Sequence, residues 1–443
     1  MLKRKTEMMT ESLREKAMTI VHRLTDKGFE ACLVGGCVRD EQLGRPVKDY
    51  DIATSARPEQ VIALFERTVP TGLQHGTVTV IIGKRPFEVT TFRKEADYEA
   101  FRRPSEVEYI DSLLEDLKRR DFTMNAMAID REGRLIDPFG GRADLQQGVL
   151  RCVGEAEERF REDALRMLRC IRFAAEYNLQ VDGPTWEALI ACMPLLRHIA
   201  MERVRLELER MLAGNDPNRA LELLSRSRAL EHVKRELKLA AAIRPDSITD
   251  LKRIARDELR WAYLYLRAGV SPAEAAEDMK TLTFSKQMME EIKRTAAAAD
   301  MLAHGLERLD RSSAEEEEYR RLWLRTALQY GRETLRGIRE LMAADALWFA
   351  ARCSSPLAAG AVTRWCDHGH GWLQTMPAGE LSELSVTGQA VLERLKAKSG
   401  PWTGKLLNRL LELVALGELP NETEALLQTA EREYVTMQKK GTL

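Results

Sequence analysis

The chain runs to 443 residues, 44% hydrophobic and 31% charged, with a formal net charge of −1. That length exceeds a single ordinary core, so about two to four domains are expected. Near-neutrality leaves any anionic partner to local basic patches, and seven scattered cysteines without a CxxC argue against a disulfide framework or a zinc site and suit a reducing cytoplasm.

The opening MLKRKTEMMTESLREKAM holds no apolar core of signal-peptide type, and no run is long enough to span a bilayer. The protein therefore reads as soluble and cytoplasmic, with no membrane partner. Residues 11–28 carry Leu13, Met18, Ile20, Val21 and Leu24 at helical intervals. Ala31–Val34 is a short apolar strand ended by Gly35-Gly36. Asp49–Thr54 is a second strand, and Pro58–Glu66 a helix with proline in its first turn. Thr77–Ile82 and Phe87–Phe92 are further strands, joined by the hairpin-like Gly83-Lys84-Arg85-Pro86. Residues 93–110 are charged, lack a core pattern and read as a mobile loop. Leu113–Arg119 is helical, Phe122–Ile129 partly extended, and Asp137-Pro138-Phe139-Gly140-Gly141 a turn. From about residue 155 helical periodicity dominates. The first third is thus mixed α and β and the rest almost all helix. The Glu-rich stretch at 314–321 reads as a solvated helix face.

The stretch KDYDIAT, residues 48–54, carries two acids one residue apart. On a strand Asp49 and Asp51 share one face, and adjacent anions repel unless water or a cation compensates. Alone, such a pair is most often a solvated edge. The preceding LVGGCVRD changes the odds, because a glycine turn into a helix lets backbone amides approach an anion. Gly36 would permit that approach and Arg39 would supply charge to a triphosphate. Beside such a cradle, Asp49 and Asp51 could share Mg²⁺, which activates an attacking hydroxyl and steadies a leaving pyrophosphate. Glu88, in FEVTTFR, is the candidate third acid, although strand alternation could equally make it a surface residue.

Together, LVGGCVRD, DYDIATSARPEQV, GTVTVIIGKRPFEVTTFR and LKRRDFTMNAMAID resemble the class II tRNA nucleotidyltransferases, the bacterial CCA-adding enzymes of the polymerase β nucleotidyltransferase superfamily. The likeness continues through DPFGGRADL, RFREDALRMLRCIRF and LSVTGQAVLERLKAKSGPWTGKLLNRLLELVALGELPN, and is weakest over residues 215–380. It implies an α+β fold: a small mixed-sheet, polymerase-β-like nucleotidyltransferase head over residues 1–150, then an all-helical neck (151–215), body (216–310) and tail (311–443).

The resemblance also implies roles. Arg120 would contact the bound nucleotide, and Asn125 would help to distinguish ribose; Arg119 reads as a solvated charge. Along RFREDALRMLRCIRF, about 100° per residue gathers Ala164, Leu165, Leu168, Ile171 and Ala175 on one side and Asp163, Arg166 and Arg169 on the other. By resemblance Asp163 and Arg166 serve as an amino-acid template for the incoming base, and Arg169 and Arg172 contact the nucleotide. Pairing or snorkelling at a helix contact is the rival role for Arg172. A carboxylate accepts from the exocyclic amine of C or A, whereas U and G present carbonyl oxygens there.

The charged residues 93–109 match a loop that the family uses when it switches from C to A. The expected activity is addition of C, C and A to the tRNA 3′ end with CTP and ATP as substrates, releasing pyrophosphate. The alternatives are an A-adding enzyme, a poly(A) polymerase, and a non-catalytic tRNA-binding relative. Partners would be tRNA, through its acceptor and outer arms, with no obligate protein partner. Basic residues at 252, 253, 256, 286, 293 and 294 are candidates for phosphate contact, though such residues are more often ordinary surface charges. Cys366-Asp367-His368-Gly369-His370 hints at a metal pair without partners, and His75 has no assignable role.

Overall fold

A seven-stranded mixed sheet organises the first of two units, the break falling between Glu236 and Leu237. The computed structural model describes residues 12–95, 107–241, 243, 248–309 and 315–439. Helix α1 (Leu13–Thr25) starts where Ser12 accepts the Glu15 N–H and Glu15 returns a carboxylate to the Ser12 N–H, a reciprocal cap. It buries Ala17, Met18, Ile20, Val21 and Leu24 and packs on β1 (Ala31–Val34). There follow α2 (Gly36–Gln42), β2 (Asp51–Thr54), α3 (Pro58–Leu64), β3 (Thr68–Val69), β4 (Thr77–Ile82), β5 (Arg85–Thr91), β6 (Arg93–Glu95), β7 (Val107–Tyr109), α4 (Leu113–Lys118), β8 (Ala128–Ile129), β9 (Leu135–Ile136) and α5 (Gly141–Gln147).

The sheet order is β3-β4-β5-β2-β1-β8-β9, antiparallel throughout except for the parallel pair β2–β5. Its register sorts the side chains. Leu33, Ile52 and Val89 line up as one buried row. On the other face Cys32, Val34 and Ala53 pack with Phe92 and with Leu113 and Leu117 of α4. Asp51 and Glu88 continue that second face, where the apolar cover ends.

Several boundaries differ from the sequence-based expectation, for local reasons. Strand β2 begins at Asp51 rather than at Asp49, because Asp51 already pairs with Val34, the last residue of β1. Asp49 therefore sits in the lead-in, still exposed beside the buried Tyr50. The ends of the charged stretch 93–110 are strands: β6 and β7 pair antiparallel, Arg93 opposite Tyr109. The bulk of the expected mobile loop, residues 96–106, lies outside the described residues. The hairpin between β4 and β5 turns on Gly83 and Lys84 alone, both at positive φ (54° and 68°), as a two-residue turn between twisted strands requires. Strands β3, β8 and β9 are two residues each, too short to leave a period.

Beyond the sheet, β10 (Val149–Leu150) pairs with β11 (Gln180–Val181), around α6 (Ala156–Glu162) and α7 (Leu165–Glu176); α8 (Gly183–Cys192), α9 (Met201–Ala213) and α10 (Pro217–Ser227) complete the unit. Helix α7 is buried well beyond one apolar side: Met167, Cys170, Phe173 and Ala174 are covered as fully as Leu168 and Ile171. Its arginines line a cleft rather than a solvated face.

The second unit is helical in all its named elements among the described residues. Trp323 and Trp365 stack 5.4 Å apart, and each indole N–H reaches a backbone carbonyl, Gly369 and Tyr319 respectively. A separate cluster around Trp402, Leu406, Leu410, Val414 and Leu426 holds the last helices together. No helix among the described residues is long and apolar enough to cross a membrane.

Candidate nucleotide site

One cleft in the first unit, of about 620 Å³, is lined by Asp51, Glu88, Arg120, Asn125, Asp163 and Arg166, together with Gly35, Gly36 and Arg39. That volume suits a small-molecule ligand. Strands β2 and β5 supply the acids and the β1–α2 turn the glycines. Arg39 comes from α2, Arg120 from the end of α4, Asn125 from the short helical turn Thr123–Asn125, and Asp163 and Arg166 from the α6–α7 junction.

Asp51 and Glu88 are direct register partners on the parallel pair. Asp51 is exposed to solvent at the cleft, yet the surrounding protein, with Asp49 and Glu88 nearby, pushes its carboxyl up to about 6, against the pull of Arg120. Asp51 and Glu88 line the cleft as a pair, and Asp49, in the exposed lead-in, adds its charge from outside the lining; a cation beside Asp51 would relieve that repulsion. Among the described residues no three acidic, histidine or cysteine side chains gather into a ready-made metal cage. The donor set instead fits a hard divalent ion held by one or two carboxylates, with water and substrate phosphate completing its shell.

Opposite the acids, Gly35 carries the turn. Its φ of 76° is left-handed, and a Cβ there would come within 2.9 Å of an Arg120 guanidinium nitrogen. Gly36, the glycine expected to matter, would meet only Arg39, at 3.5 Å. Arg120 donates to Asp116 (3.2 Å) and to the Asn125 carbonyl (3.4 Å). Arg119 departs from the expectation of a solvated charge: it grips Asp116 through two nitrogens at 3.0 and 2.8 Å and borders the cleft.

Arg39 is buried, paired with Asp40 (3.0 Å) and Asn125 (2.7 Å), and lies over the Tyr177 ring at 4.3 Å. Its guanidinium braces the cleft floor, which leaves Arg120 as the more open cation on the glycine side. Asn125 is tied at both ends of its amide, accepting from Arg39 and donating to Asp121 at 3.1 Å.

The base-reading candidates meet at the α6–α7 junction. Asp163 is not in a helix: it caps the C-terminus of α6 with extended backbone. Its carboxylate accepts the Leu165 N–H (3.1 Å) and both terminal nitrogens of Arg203 (3.3 and 2.8 Å). A carboxylate has about four acceptor sites, so one remains for a ligand amine. Arg166 is buried and held by the carbonyls of Arg159 (3.2 Å) and Arg119 (2.9 Å) and by Glu162.

Arg169 grips Asp121 through two nitrogens at 2.8 and 2.6 Å. Arg172 meets the buried Glu207 at 2.6 Å and stacks 4.0 Å over Phe173. Arg172 thus makes the helix contact foreseen as its rival role, and it also borders the cleft. Arg203 was not singled out from sequence; one more arginine in the charged MERVRLELER gives no local signal of its distant partner.

Elsewhere, Arg93 donates to the His75 carbonyl, and the His75 ring lies 3.4 Å from the Gln74 amide nitrogen. Cys366, His368 and His370 lie along the helix Ala358–Gln374; His368 stacks near Trp372 at 5.8 Å, and no metal cluster forms among the described residues. Of the basic candidates in the second unit, Arg256 pairs with Glu340 (3.5 Å), Lys293 lies 3.9 Å from Glu290, and Arg253 donates to the Ala343 carbonyl.

Comparison with known proteins agrees with this geometry. Residues 31–151 match the poly A polymerase head domain, and residues 252–430 match tRNA nucleotidyltransferase domain 2. The chain is 37% identical over 417 residues to a CCA-adding enzyme of Geobacillus stearothermophilus, covering 93% of this chain and 95% of that one. It is 36% identical over 428 residues to the CCA-adding enzyme of Bacillus licheniformis, covering 94% and 97%. Among solved structures, a Bacillus stearothermophilus CCA-adding enzyme in complex with CTP superposes with a TM-score of 0.77 at 31% identity, over 97% of this chain and 100% of that one. A Thermotoga maritima CCA-adding enzyme complexed with tRNA shares the fold, with a TM-score of 0.61 at 19% identity over 94% of each chain.

Proposed function

The chain belongs to the CCA-adding enzymes, and from that membership we propose how its cleft divides the work among two acids, an arginine and a base-reading corner. It is a nucleotidyltransferase that adds C, C and A to the 3′ end of tRNA from CTP and ATP, without a nucleic-acid template and with release of pyrophosphate. Its partners are tRNA and the two nucleotides.

Asp49 and Asp51 hold a divalent cation, which we assign as Mg²⁺, with Glu88 beside them. When bound, that ion supplies Lewis acidity toward the attacking hydroxyl and the leaving phosphates. Arg120, laid over the Gly35 turn, binds the triphosphate side. Asp163 accepts the exocyclic amine of C or A at its remaining acceptor site, and Arg166 donates to the neighbouring ring acceptor. The carbonyl of U or G would face the same carboxylate and be repelled, at a typical discrimination of about 1–3 kcal/mol per mismatched edge.

One observation carries this reading: the acid row and the Asp163–Arg166 corner line a single cleft of nucleotide size. We further propose four working regions: a head over residues 1–150, a base-reading neck over 151–215, and a body (216–310) and tail (311–443) that hold the tRNA. A cytoplasmic setting fits the substrate and cysteines that are all free thiols. The reading is tested by supplying Mg²⁺, each nucleotide singly and in pairs, and tRNA ending at the discriminator base, C or CC. Stepwise C, C and A addition is expected. Extension restricted to tRNA ending in CC, or long A tails, would contradict it.

A further inference from the structure

Asp116 is 1% exposed, sits on α4 and belongs to none of the roles above. Its two carboxylate oxygens collect donors from three places. Oδ1 accepts the backbone N–H of Arg93 at 3.3 Å and two nitrogens of Arg119 at 3.0 and 2.8 Å; Oδ2 accepts Arg120 at 3.2 Å. Burial raises the cost of its charge, yet Arg119 and Arg120 outweigh it and hold the carboxyl below its ordinary value. The node reaches further through the chain: the Arg119 carbonyl accepts from Arg166 at 2.9 Å.

Asp116 thus ties the β6 strand to the cleft arginines through a single buried charge. A guanidinium on a long stem is loose unless something fixes its plane. Held by Asp116 on one side and the Asn125 carbonyl on the other, Arg120 presents itself over Gly35 in one orientation.

We propose that Asp116 is a positioning residue for nucleotide binding: it orients Arg120 toward the triphosphate and locks that arginine to the β6–β7 ribbon. It touches no reacting atom and acts through the arginine. The inference rests on Arg120 serving the triphosphate, so the experiment separates the two ideas.

The test is a double-mutant cycle with Asp116→Asn and Arg120→Ala, read by steady-state kinetics and by binding of inorganic tripolyphosphate. Since CTP and ATP share a triphosphate, Asp116→Asn should raise KM for both by the same factor, about tenfold, with kcat within about threefold of wild type. Tripolyphosphate affinity should fall to match. In the Arg120→Ala background Asp116→Asn should add less than about twofold, because its effect passes through the missing side chain.

Where the amide variant does not fold, Asp116→Ser, which leaves room for water, carries the same expectation. Equal effects of the Asp116 substitution with and without Arg120 would overturn the proposal. So would a lower melting temperature with unchanged KM, the mark of a merely structural acid. An Arg120→Ala enzyme with unchanged tripolyphosphate affinity would instead remove Arg120 from the triphosphate and take this inference with it.

Discussion

Asp51 and Glu88 face each other across the one parallel pair in a sheet that is otherwise antiparallel, as register partners on β2 and β5. The chain reaches that pairing only after the β4–β5 hairpin has turned it around, so residues 37 positions apart in sequence become neighbours. The consequence is a row of acids on the open half of one sheet face, with an apolar cluster on the covered half.

If Asp51 is the ligand that a divalent ion depends on, Asp51→Asn should lose nearly all nucleotide incorporation, roughly a thousandfold or more. Glu88→Gln, removing a neighbour rather than a principal ligand, should cost about 10–100-fold, and raised Mg²⁺ should restore part of it. Single-turnover incorporation across a Mg²⁺ titration measures both. An Asp51→Asn enzyme within tenfold of wild type would refute the assignment.

Gly35→Ala should destabilise the head and weaken nucleotide binding together. The left-handed backbone costs an L residue about 1–3 kcal/mol, and the added Cβ would displace Arg120, 2.9 Å away. Gly36→Ala meets only an ordinary contact, at 3.5 Å, and should change the melting temperature far less. Thermal unfolding of the two variants side by side distinguishes them.

Asp121 supplies a pH signature. Burial would raise its carboxyl, but Arg169 foremost, then the Asn125 amide and Arg166, outweigh burial and lower it from 3.8 to about 2. A carboxyl depressed in the fold stabilises above its unfolded value and loses that contribution as pH falls toward its folded value. The difference is worth about 2 kcal/mol. Asp121→Asn should therefore be less stable than wild type by at least that amount at pH 7, and the gap should close as the pH is lowered from about 5 toward 2. Denaturant unfolding at several pH values follows it.

Arg203 fills about half of the acceptor capacity of Asp163. With Arg203→Met the carboxylate should swing, and the preference for CTP over UTP should fall by about tenfold, the scale of one well-made base contact. The comparison of kcat/KM for CTP and UTP reads this directly. An unchanged ratio would make the ion pair a brace without a part in selection.

How far the sequence foretold this site follows from how local each signal is. Ala31–Val34 and Thr77–Ile82 were legible end to end, because each is an apolar or alternating run stopped by glycine. Asp51 and Glu88 were both named, but their contact depends on a parallel pairing that neither strand encodes alone. Arg119 was misread as solvated, since its partner Asp116 looks like any acid in a charged helix until α4 is folded against the sheet. Helix α7 was expected to turn Arg166 and Arg169 toward a ligand, and both line the cleft with Arg172; what the sequence did not tell is that α9 and α10 pack on this helix and that the three arginines are held by Glu162, Asp121 and Glu207. Arg203 stayed invisible because its meaning lies 40 residues from the acid it holds.

The most direct measurement of the central claim, that a protein corner reads the base by its amine, is single-turnover addition of each of the four nucleotides by wild type and Asp163→Ala. Wild type should take C onto tRNA ending at the discriminator base and A onto tRNA ending in CC, refusing U and G, while Asp163→Ala should lose most of that preference. Uridylate accepted by wild type as readily as cytidylate, or an Asp163→Ala enzyme as selective as its parent, would contradict it.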